Sequence, residues 1–268
     1  MPALTSSGDH MKDTLISAWL TWLAGGNTAE STLRVRRYAL HAFARRYDLE
    51  CATTEDVQDY LASLPGGPWS RSSHLSALRG FYRWGCLSGV LPHDPTQLVH
   101  GIRVPAGEPR PVPEVVLQRA IAVADDGVRL MLLLGAYEGL RRAEIAGFHS
   151  SCVTDTHLVI CGKGGRTRLI PVHPRVRPML GFRGYAFPSH RIPGAPVCPD
   201  TIGAMAKAAL GQPYTCHTLR HRYATALYAA CHDIVVCQRC LGHSNVATTM
   251  RYVGMGRDAD VTAVLAVA

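Results

Sequence analysis

The spacing of apolar side chains divides the first hundred residues into four amphipathic helices. In residues 14–24, apolar side chains recur at intervals of three and four positions, as on one face of a helix. The same spacing predicts helices over residues 28–47, 53–64 and 70–87, and Pro65-Gly66-Gly67-Pro68 ends the third of them. We therefore expect a compact helical domain at the start of the chain.

A proline-rich segment marks the end of this domain. Residues 103–113 contain four prolines, which exclude a helix and favour an extended linker. We predict the following division of the chain: a flexible start at 1–11, a helical domain at 12–102, a linker at 103–113, a second domain at 114–254, and a tail at 255–268 that packs on its own domain or on a neighbouring subunit.

The second domain combines helices with one β-hairpin. Two short apolar segments, residues 157–161 and 167–172, predict strands, and the glycines between them predict a hairpin turn. Helical patterns surround the hairpin, at 114–124, 128–137, just after Arg141, and at 200–210, 218–230, 234–241 and 245–252. The predicted fold class is mainly α with a small β-hairpin, that is, α+β.

Charge and hydropathy indicate the kind of partner and the cellular compartment of the protein. The net charge of +8 and the isoelectric point near 9.2 favour a polyanionic partner, nucleic acid before membrane. No apolar run approaches the roughly 20 residues that span a bilayer, and the N-terminus lacks a signal-peptide pattern. We expect a cytoplasmic protein whose nine cysteines are reduced thiols.

The candidate chemistry lies in the last third of the chain. His217, Arg220, His243 and Tyr252 fall within 36 residues, and His217 and Arg220 are spaced to share one face of a helix. Arginine binds phosphate with a planar fork, histidine moves protons near neutral pH, and tyrosine can form a covalent link. The group suits attack on a phosphodiester.

Two further cations complete this interpretation. Arg141, between a glycine and the next helix, could face a cleft, or it could be an ordinary surface arginine at a helix start. Lys163 lies in the hairpin turn and is one of only three lysines. It could protonate a leaving oxygen, which arginine cannot do, or it could be a solvated turn residue.

The cysteines near His243 superficially resemble a zinc site. Cys237 and Cys240 form a CxxC pair, but a second pair of ligands at structural-site spacing is missing. We therefore predict no metal.

Five segments resemble the signature boxes of the tyrosine recombinase (phage integrase) family. They occur in the family's order: Gly139-Leu-Arg141-Arg-Ala-Glu144-Ile, Gly162-Lys163-Gly-Gly-Arg-Thr-Arg-Leu-Ile-Pro-Val, His217-Thr-Leu-Arg220-His-Arg-Tyr, Leu241-Gly-His243 and Thr248-Thr-Met-Arg-Tyr252. The helices of residues 12–102 resemble the family's core-binding domain.

This resemblance implies a role for each of the singled-out residues. Tyr252 would be the nucleophile that forms a 3′-phosphotyrosyl link, and Lys163 the general acid. Arg141, Arg220 and His243 would stabilise the transition state. His217 would be a general base or a phosphate ligand. Neither a metal nor ATP is implied, because the covalent link conserves the energy of the broken bond.

The resemblance also implies the partners. The two domains would clamp double-stranded DNA, and a homo-tetramer would act on two DNA sites through a Holliday junction, with accessory DNA-binding factors possible. Arginines on the predicted helices are candidates for contacts to the DNA backbone, which would make binding salt-sensitive: Arg36, Arg37, Arg71 and Arg79.

Several biological roles fit. Only about eleven residues precede the helical domain, so we expect a compact form without an arm-binding domain. Integration or excision of a phage or mobile element is our first expectation, and an Xer-like resolvase of chromosome or plasmid dimers is the alternative. A type IB topoisomerase and a non-catalytic DNA-binding protein are more distant alternatives.

Overall fold

The chain forms two compact units, and each has a hydrophobic core of its own. The computed structural model describes residues 6–105, 107, 109–162 and 165–242. The units are Met1–Ala106 and Gly107–Ala268, so the division falls inside the proline-rich segment.

The first unit contains four helices, as the apolar spacing predicted. They are α1 (Ser6–Gly25), α2 (Glu30–Ala44), α3 (Thr54–Ser63) and α4 (Pro68–Leu87). Helix α1 begins earlier than predicted and includes residues 6–11, which we expected to be a flexible start. That stretch has no apolar periodicity, but a helix that has already formed extends cheaply through polar residues.

Aromatic side chains fill the core of the first unit. The Phe43 ring is fully buried and lies edge-on to Tyr60, with ring centroids 5.1 Å apart. Tyr60 Oη and His74 Nδ1 are 2.7 Å apart and share a buried hydrogen bond. Burial raises the pKa of Tyr60 to about 12 and lowers the pKa of His74.

A capping box fixes the start of α3. Thr53 Oγ1 accepts a hydrogen bond from the Asp56 amide at 3.2 Å, and Asp56 Oδ2 accepts one from the Thr53 amide at 2.9 Å. Each side chain satisfies a backbone N–H that the helix leaves unpaired. The helix thus begins within one residue of the start that the apolar spacing predicted.

The second unit places one β-hairpin among helices. Strands β1 (His157–Cys161) and β2 (Thr167–Pro171) pair antiparallel, with His157 opposite Pro171 and Cys161 opposite Thr167. The helices are α5 (Glu114–Val123), α6 (Asp126–Tyr137), α7 (Arg142–Ala146), α8 (Pro199–Leu210), α9 (Cys216–Cys231) and α10 (Ile234–Leu241).

Helix α6 is the centre of the second core. Its residues from Leu130 to Ala136 are all buried, and it packs against both α8 and α9. Leu219 of α9 and Leu158 of β1 join the same cluster and are fully buried. This packing fixes α9 against the turn that follows α6.

The predicted fold class is confirmed: the described residues are mainly helical, with one antiparallel hairpin. The predicted helix at 245–252 and the tail at 255–268 lie outside the described residues. Within the described part of the chain, no helix has the length and apolar character to cross a membrane.

Candidate active site

One cleft in the second unit brings together three of the six predicted catalytic residues. It has a volume of about 1830 Å³, and the hairpin, α7, α8, α9 and the end of α10 contribute to its walls. Arg141, His217 and Arg220 all line it. The structure therefore brings together three residues that lie up to 79 positions apart in the sequence.

Arg141 is the N-terminal cap of α7 and half-exposed to the cleft. Its Nη1 lies 2.9 Å from Glu144 Oε1, and 37% of its side chain is exposed. Its Nη2 donates to the carbonyl oxygen of Gly242 at 3.0 Å. A carboxylate thus orients one edge of the guanidinium, while a substantial part of the side chain remains accessible to a ligand.

The turn before Arg141 depends on Gly139. Its φ of +64° is a left-handed conformation that L side chains rarely adopt. A Cβ at this position would lie 2.2 Å from Cδ1 of the Tyr223 ring, which packs directly on the turn. Glycine therefore lets helix α9, which carries Tyr223, approach the α6–α7 connection closely.

Arg220 lies on α9 and is buried, with 4% of the residue exposed. Its Nη1 donates to the carbonyl oxygen of Gly139 at 2.5 Å, and its Nη2 donates to the carbonyl oxygen of Leu241. The planar fork thus connects the turn before Arg141 to the end of α10. Both arginines therefore donate to carbonyl oxygens at the end of α10.

His217 lies in the first turn of α9, on the side predicted from the spacing to Arg220. Thr215 caps the helix and its Oγ1 accepts from the His217 amide at 3.2 Å. The His217 residue is exposed, and its ring lies 4.2 Å from the His221 ring. An exposed imidazole at the edge of a cleft can exchange protons with a bound substrate.

Glu144 pairs with two arginines that line the cleft, Arg141 and Arg168, and sequence reasoning did not assign it to the site. Only 6% of its side chain is exposed. Burial alone would raise its pKa, but hydrogen bonds from Arg168 and from the Arg141 amide, with the charges of both guanidinium groups, lower its pKa to about 2. Glu144 is therefore ionised at neutral pH.

A second buried acid lies beside the same turn. Glu138 is fully buried; its Oε1 accepts from the His173 amide at 2.8 Å, and its Oε2 has no hydrogen-bond partner among the described residues. Burial raises the pKa of Glu138 to about 7, although the bond from His173 and the charge of Arg177 oppose the shift.

Sequence reasoning also missed Arg168 and Lys207, which line the cleft. The sequence carried no signal for either residue. Along β2, Arg168 and Ile170 face inward in the structure while the apolar Leu169 between them is exposed, so the alternation of polar and apolar residues does not place Arg168 inside.

Three predicted site residues, Lys163, His243 and Tyr252, lie outside the described residues. Gly162 and Gly242, which immediately precede Lys163 and His243 in the sequence, both line the cleft.

The predicted DNA-contacting arginines belong to the first unit. The Arg36 guanidinium stacks on the Trp19 ring at 5.4 Å, and Arg79 donates to the carbonyl oxygen of Val99. Arg71 Nε is buried without a hydrogen-bond partner in the described part of the chain, while Arg37 is exposed. Arg36 and Arg79 thus have contacts within their own unit, and the prediction that these four arginines bind DNA stays a prediction.

The cysteines do not assemble with other ligands into a metal site within the described ranges. Cys231 and Cys237 have their sulfur atoms 3.9 Å apart, and burial raises the pKa of the Cys237 thiol to about 12. A protonated buried thiol is a poor metal ligand, because the thiolate is the form that binds.

Known proteins resemble the chain in both sequence and fold. Residues 114–256 match the phage integrase family. Tyrosine recombinase XerC of Pseudomonas putida is 32% identical over 211 residues, which cover 69% of each chain. Tyrosine recombinase XerC of Myxococcus xanthus is 27% identical over 242 residues, covering 77% of this chain and 79% of the relative.

Solved structures share the fold. A lambda integrase dimer bound to a COC′ core site superposes with a TM-score of 0.72 at 20% identity, covering 90% of this chain and 76% of that one. Another lambda integrase structure, residues 75–356 bound to DNA, also gives 0.72, at 19% identity over 92% of this chain and 97% of that one. The chain therefore belongs to the phage integrase family of tyrosine recombinases, which are site-specific DNA strand-transferases with a tyrosine nucleophile.

Proposed function

We propose that Arg141, His217 and Arg220 form one active site with Lys163, His243 and Tyr252. At this site the enzyme cuts and rejoins DNA strands through a 3′-phosphotyrosyl intermediate. The observation that carries the proposal is the convergence of Arg141 and Arg220 on one cleft, although they come from separate elements. Both donate to backbone carbonyls at the end of α10, at 3.0 Å for Arg141 and Gly242 and, for Arg220, to Leu241.

Two arginines suit the electrostatic demand of this reaction. A pentavalent phosphorus transition state concentrates negative charge on its non-bridging oxygens, and fixed cations stabilise that charge. Glu144 keeps Arg141 oriented, and burial restricts the side-chain motion of Arg220. Such pre-organised donors avoid reorganisation during the reaction.

The remaining roles follow from the family motifs. Tyr252 Oη attacks the scissile phosphorus and forms the phosphotyrosyl bond, while the 5′-oxygen leaves and takes a proton from Lys163. His217 accepts the tyrosine proton or binds the phosphate, and His243 donates a hydrogen bond to a phosphoryl oxygen. A 5′-hydroxyl from a second strand then reverses the step, so the phosphodiester is remade without an external energy source.

The substrate we propose is double-stranded DNA, held by a homo-tetramer on two sites through a Holliday junction. The net charge of +8 supports a polyanionic substrate, and Arg142, Lys207 and Arg239 add basic side chains to the cleft. A related fold, a lambda integrase tetramer, has been solved bound to a Holliday junction. We place the enzyme in the cytoplasm, where such DNA is accessible.

The biological role we favour is integration or excision of a phage or mobile element. Dimer resolution is the second candidate, because XerC recombinases are among the similar relatives. Covalent capture of DNA would distinguish the two roles by revealing the target: a pair of sites joining an element to its host supports integration, whereas a single site shared by chromosome or plasmid copies supports resolution.

Covalent capture also tests the chemistry. The protein is incubated with a library of nicked duplexes, which trap the cleaved intermediate, and the DNA that survives a denaturing wash is sequenced. We expect adducts with the wild type and none with Tyr252→Phe. Tyr228→Phe, a change of the same kind on α9, should keep them. Adduct formation by Tyr252→Phe would refute the assignment of the nucleophile.

The general acid has its own test. Lys163→Ala should slow cleavage, and a 5′-bridging phosphorothiolate, whose leaving group needs no proton, should restore the rate. Lys207→Ala is the matched control, since Lys207 lines the same cleft and should affect both substrates equally. Rescue of Lys207→Ala instead of Lys163→Ala would transfer the acid role to Lys207.

Strand exchange separates this function from the more distant alternatives. A type IB topoisomerase would relax supercoils without joining strands from two duplexes, and a non-catalytic DNA-binding protein would form no adduct. We expect recombinant joints from two captured sites.

A further inference from the structure

Arg168 of β2 makes more polar contacts than any role assigned so far requires. Only 8% of its side chain is exposed. Its two terminal nitrogens donate to the two carboxylate oxygens of Glu144, at 2.8 Å and 2.7 Å. Its Nε donates to the carbonyl oxygen of Cys240 at 2.9 Å. One side chain therefore joins the hairpin to α7 and to α10.

The contact with α10 belongs to a series. Three consecutive carbonyls at the end of this helix accept from three arginines: Cys240 from Arg168, Leu241 from Arg220 and Gly242 from Arg141. The last carbonyls of a helix lack partners within the helix and carry partial negative charge, so cations stabilise them.

Arg168 differs from the other two arginines in the partner of its fork. Arg141 is 37% exposed and can turn toward a ligand, and Arg220 donates to two neutral backbone carbonyls. The two terminal nitrogens of Arg168 are instead both paired with the charged carboxylate of Glu144. The bidentate pair also holds Glu144 in place. The Glu144 carboxylate in turn accepts from Arg141 Nη1 at 2.9 Å and from the Arg141 amide at 2.8 Å.

We propose that Arg168 is a positioning residue for strand cleavage, which fixes Glu144, and through it Arg141, while holding the last turn of α10 ahead of His243. The inference rests on the proposed function. Arg168 itself does not bind the scissile phosphate. Only a planar fork with an additional donor can serve both elements at once; a lysine ammonium would satisfy one of them.

Gly242 fits the same arrangement. With φ +63°, it has the left-handed conformation typical of a glycine that ends a helix. A Cβ at this position would lie 2.9 Å from Cδ and 3.2 Å from Nη1 of Arg168. The glycine of Leu-Gly-His therefore leaves room for Arg168 to pass along the helix end and reach Glu144.

Removal of Arg168 should change the rate of chemistry more than the affinity for DNA. Without the fork, the buried carboxylate of Glu144 has Arg141 as its remaining cation within this network and pulls that guanidinium away from the substrate. Misplacement of a catalytic group by about 1 Å costs about 100-fold in rate. Removing the carboxylate as well should release Arg141 and recover part of the loss.

The experiment measures adduct formation in a single turnover with saturating DNA, using full-length protein. We expect Arg168→Gln to be about 100-fold slower with a Kd for DNA that changes less than about threefold. Arg168→Lys should be intermediate, and Glu144→Gln/Arg168→Gln should be faster than Arg168→Gln alone. Gly242→Ala places a methyl group against Arg168 and should slow cleavage. The same change should slow cleavage no further when Arg168→Gln is already present.

Three results would overturn the inference. They are an unchanged cleavage rate in Arg168→Gln, a change confined to the Kd for DNA, or a Gly242→Ala/Arg168→Gln variant whose loss in rate is the product of the two single losses. Variants are compared only if circular dichroism shows the wild-type fold; if Arg168→Gln does not fold, Arg168→Lys and Gly242→Ala decide. Absence of an adduct with the wild type would instead reject the proposed function, so the two failures are distinguishable.

Discussion

Different interactions stabilise each of the two units. In the first unit, buried aromatic rings pack edge-on around Phe43, and the contact between Asp13 and His41 lies at the surface. In the second unit, the apolar core ends at a cleft where guanidinium groups join a buried carboxylate and the end of α10. The first arrangement builds a scaffold, whereas the second positions charges, and we expect mutations to separate these two roles.

Phe43→Ala should give the largest effect on stability. The ring is fully buried and lies 5.1 Å from the Tyr60 ring, so truncation leaves a cavity that costs about 3–5 kcal/mol. All four tryptophans lie in the first unit, and their fluorescence therefore reports its unfolding by denaturant separately from circular dichroism, which reports both units.

Trp22→Ala is the control for Phe43→Ala. Trp22 is 59% exposed, and its removal should cost no more than about 1 kcal/mol. An equal loss for the two variants would contradict the view that aromatic burial holds this unit together.

Arg220→Lys should lower the rate of DNA cleavage by about 100- to 1000-fold, since lysine cannot reproduce a fork that stabilises developing phosphate charge. Arg129→Lys is a matched control, because Arg129 also donates to carbonyls at a helix end, at 2.6 Å for Ala124, but does not line the cleft. Single-turnover rates on captured DNA measure both. A comparable loss in Arg129→Lys would mean that the cleft arginines act on stability alone.

Glu138→Gln should change how the second unit responds to pH. The folded-state pKa of Glu138 is raised to about 7, above its ordinary value, so its stabilising contribution is complete below about pH 4.5 and is lost as the pH rises through 7. At pH 8 the free energy of unfolding of the variant should therefore recover by up to about 3 kcal/mol relative to that of the wild type. Denaturant unfolding followed by circular dichroism at pH 5 and pH 8 measures this difference.

The first unit should respond to pH in the opposite direction. Burial lowers the folded-state pKa of His74, so its contribution is present above the ordinary pKa of about 6.5 and is lost as the pH falls below it. Tryptophan fluorescence should therefore show a loss of stability on acidification that His74→Gln reduces. Equal pH responses of the two units in the wild type would contradict both assignments.

Thr53→Ala should give the smallest effect. It removes the acceptor for the Asp56 amide in the capping box and should cost about 1 kcal/mol. Thr21→Ala is the control: Thr21 bonds back to Ser17 within α1 and should stay within about 0.5 kcal/mol of the wild type. Denaturant midpoints followed by tryptophan fluorescence measure both.

More of the fold than of the candidate site could be predicted from the sequence. Apolar spacing predicted helices α2, α3 and α4 within a few residues, because each buries one face in its own core. The start of α1 was misplaced, since its first residues have no apolar periodicity. Arg141, His217 and Arg220, which line one cleft, were selected from short motifs and not from apolar spacing, and their catalytic roles stay predictions.

The pair between Arg168 and Glu144 was not predicted, for a physical reason. The two residues are 24 positions apart and lie on a strand and a helix, so no periodicity within either element relates them. Their contact depends on how the hairpin packs beside α7, which only the folded unit specifies. The inward position of Arg168 was not evident either, because the apolar Leu169 beside it is the exposed residue.

The turn at Gly139 limits how this enzyme can be engineered. Replacing loop glycines with alanine commonly raises stability by reducing the freedom of the unfolded chain. Here one added methyl group would meet the Tyr223 ring at 2.2 Å and act as a wedge between α9 and the turn that leads to Arg141. The same turn carries the carbonyl oxygen that accepts from Arg220, so a stabilisation campaign that replaced every loop glycine would disturb the surroundings of both Arg141 and Arg220.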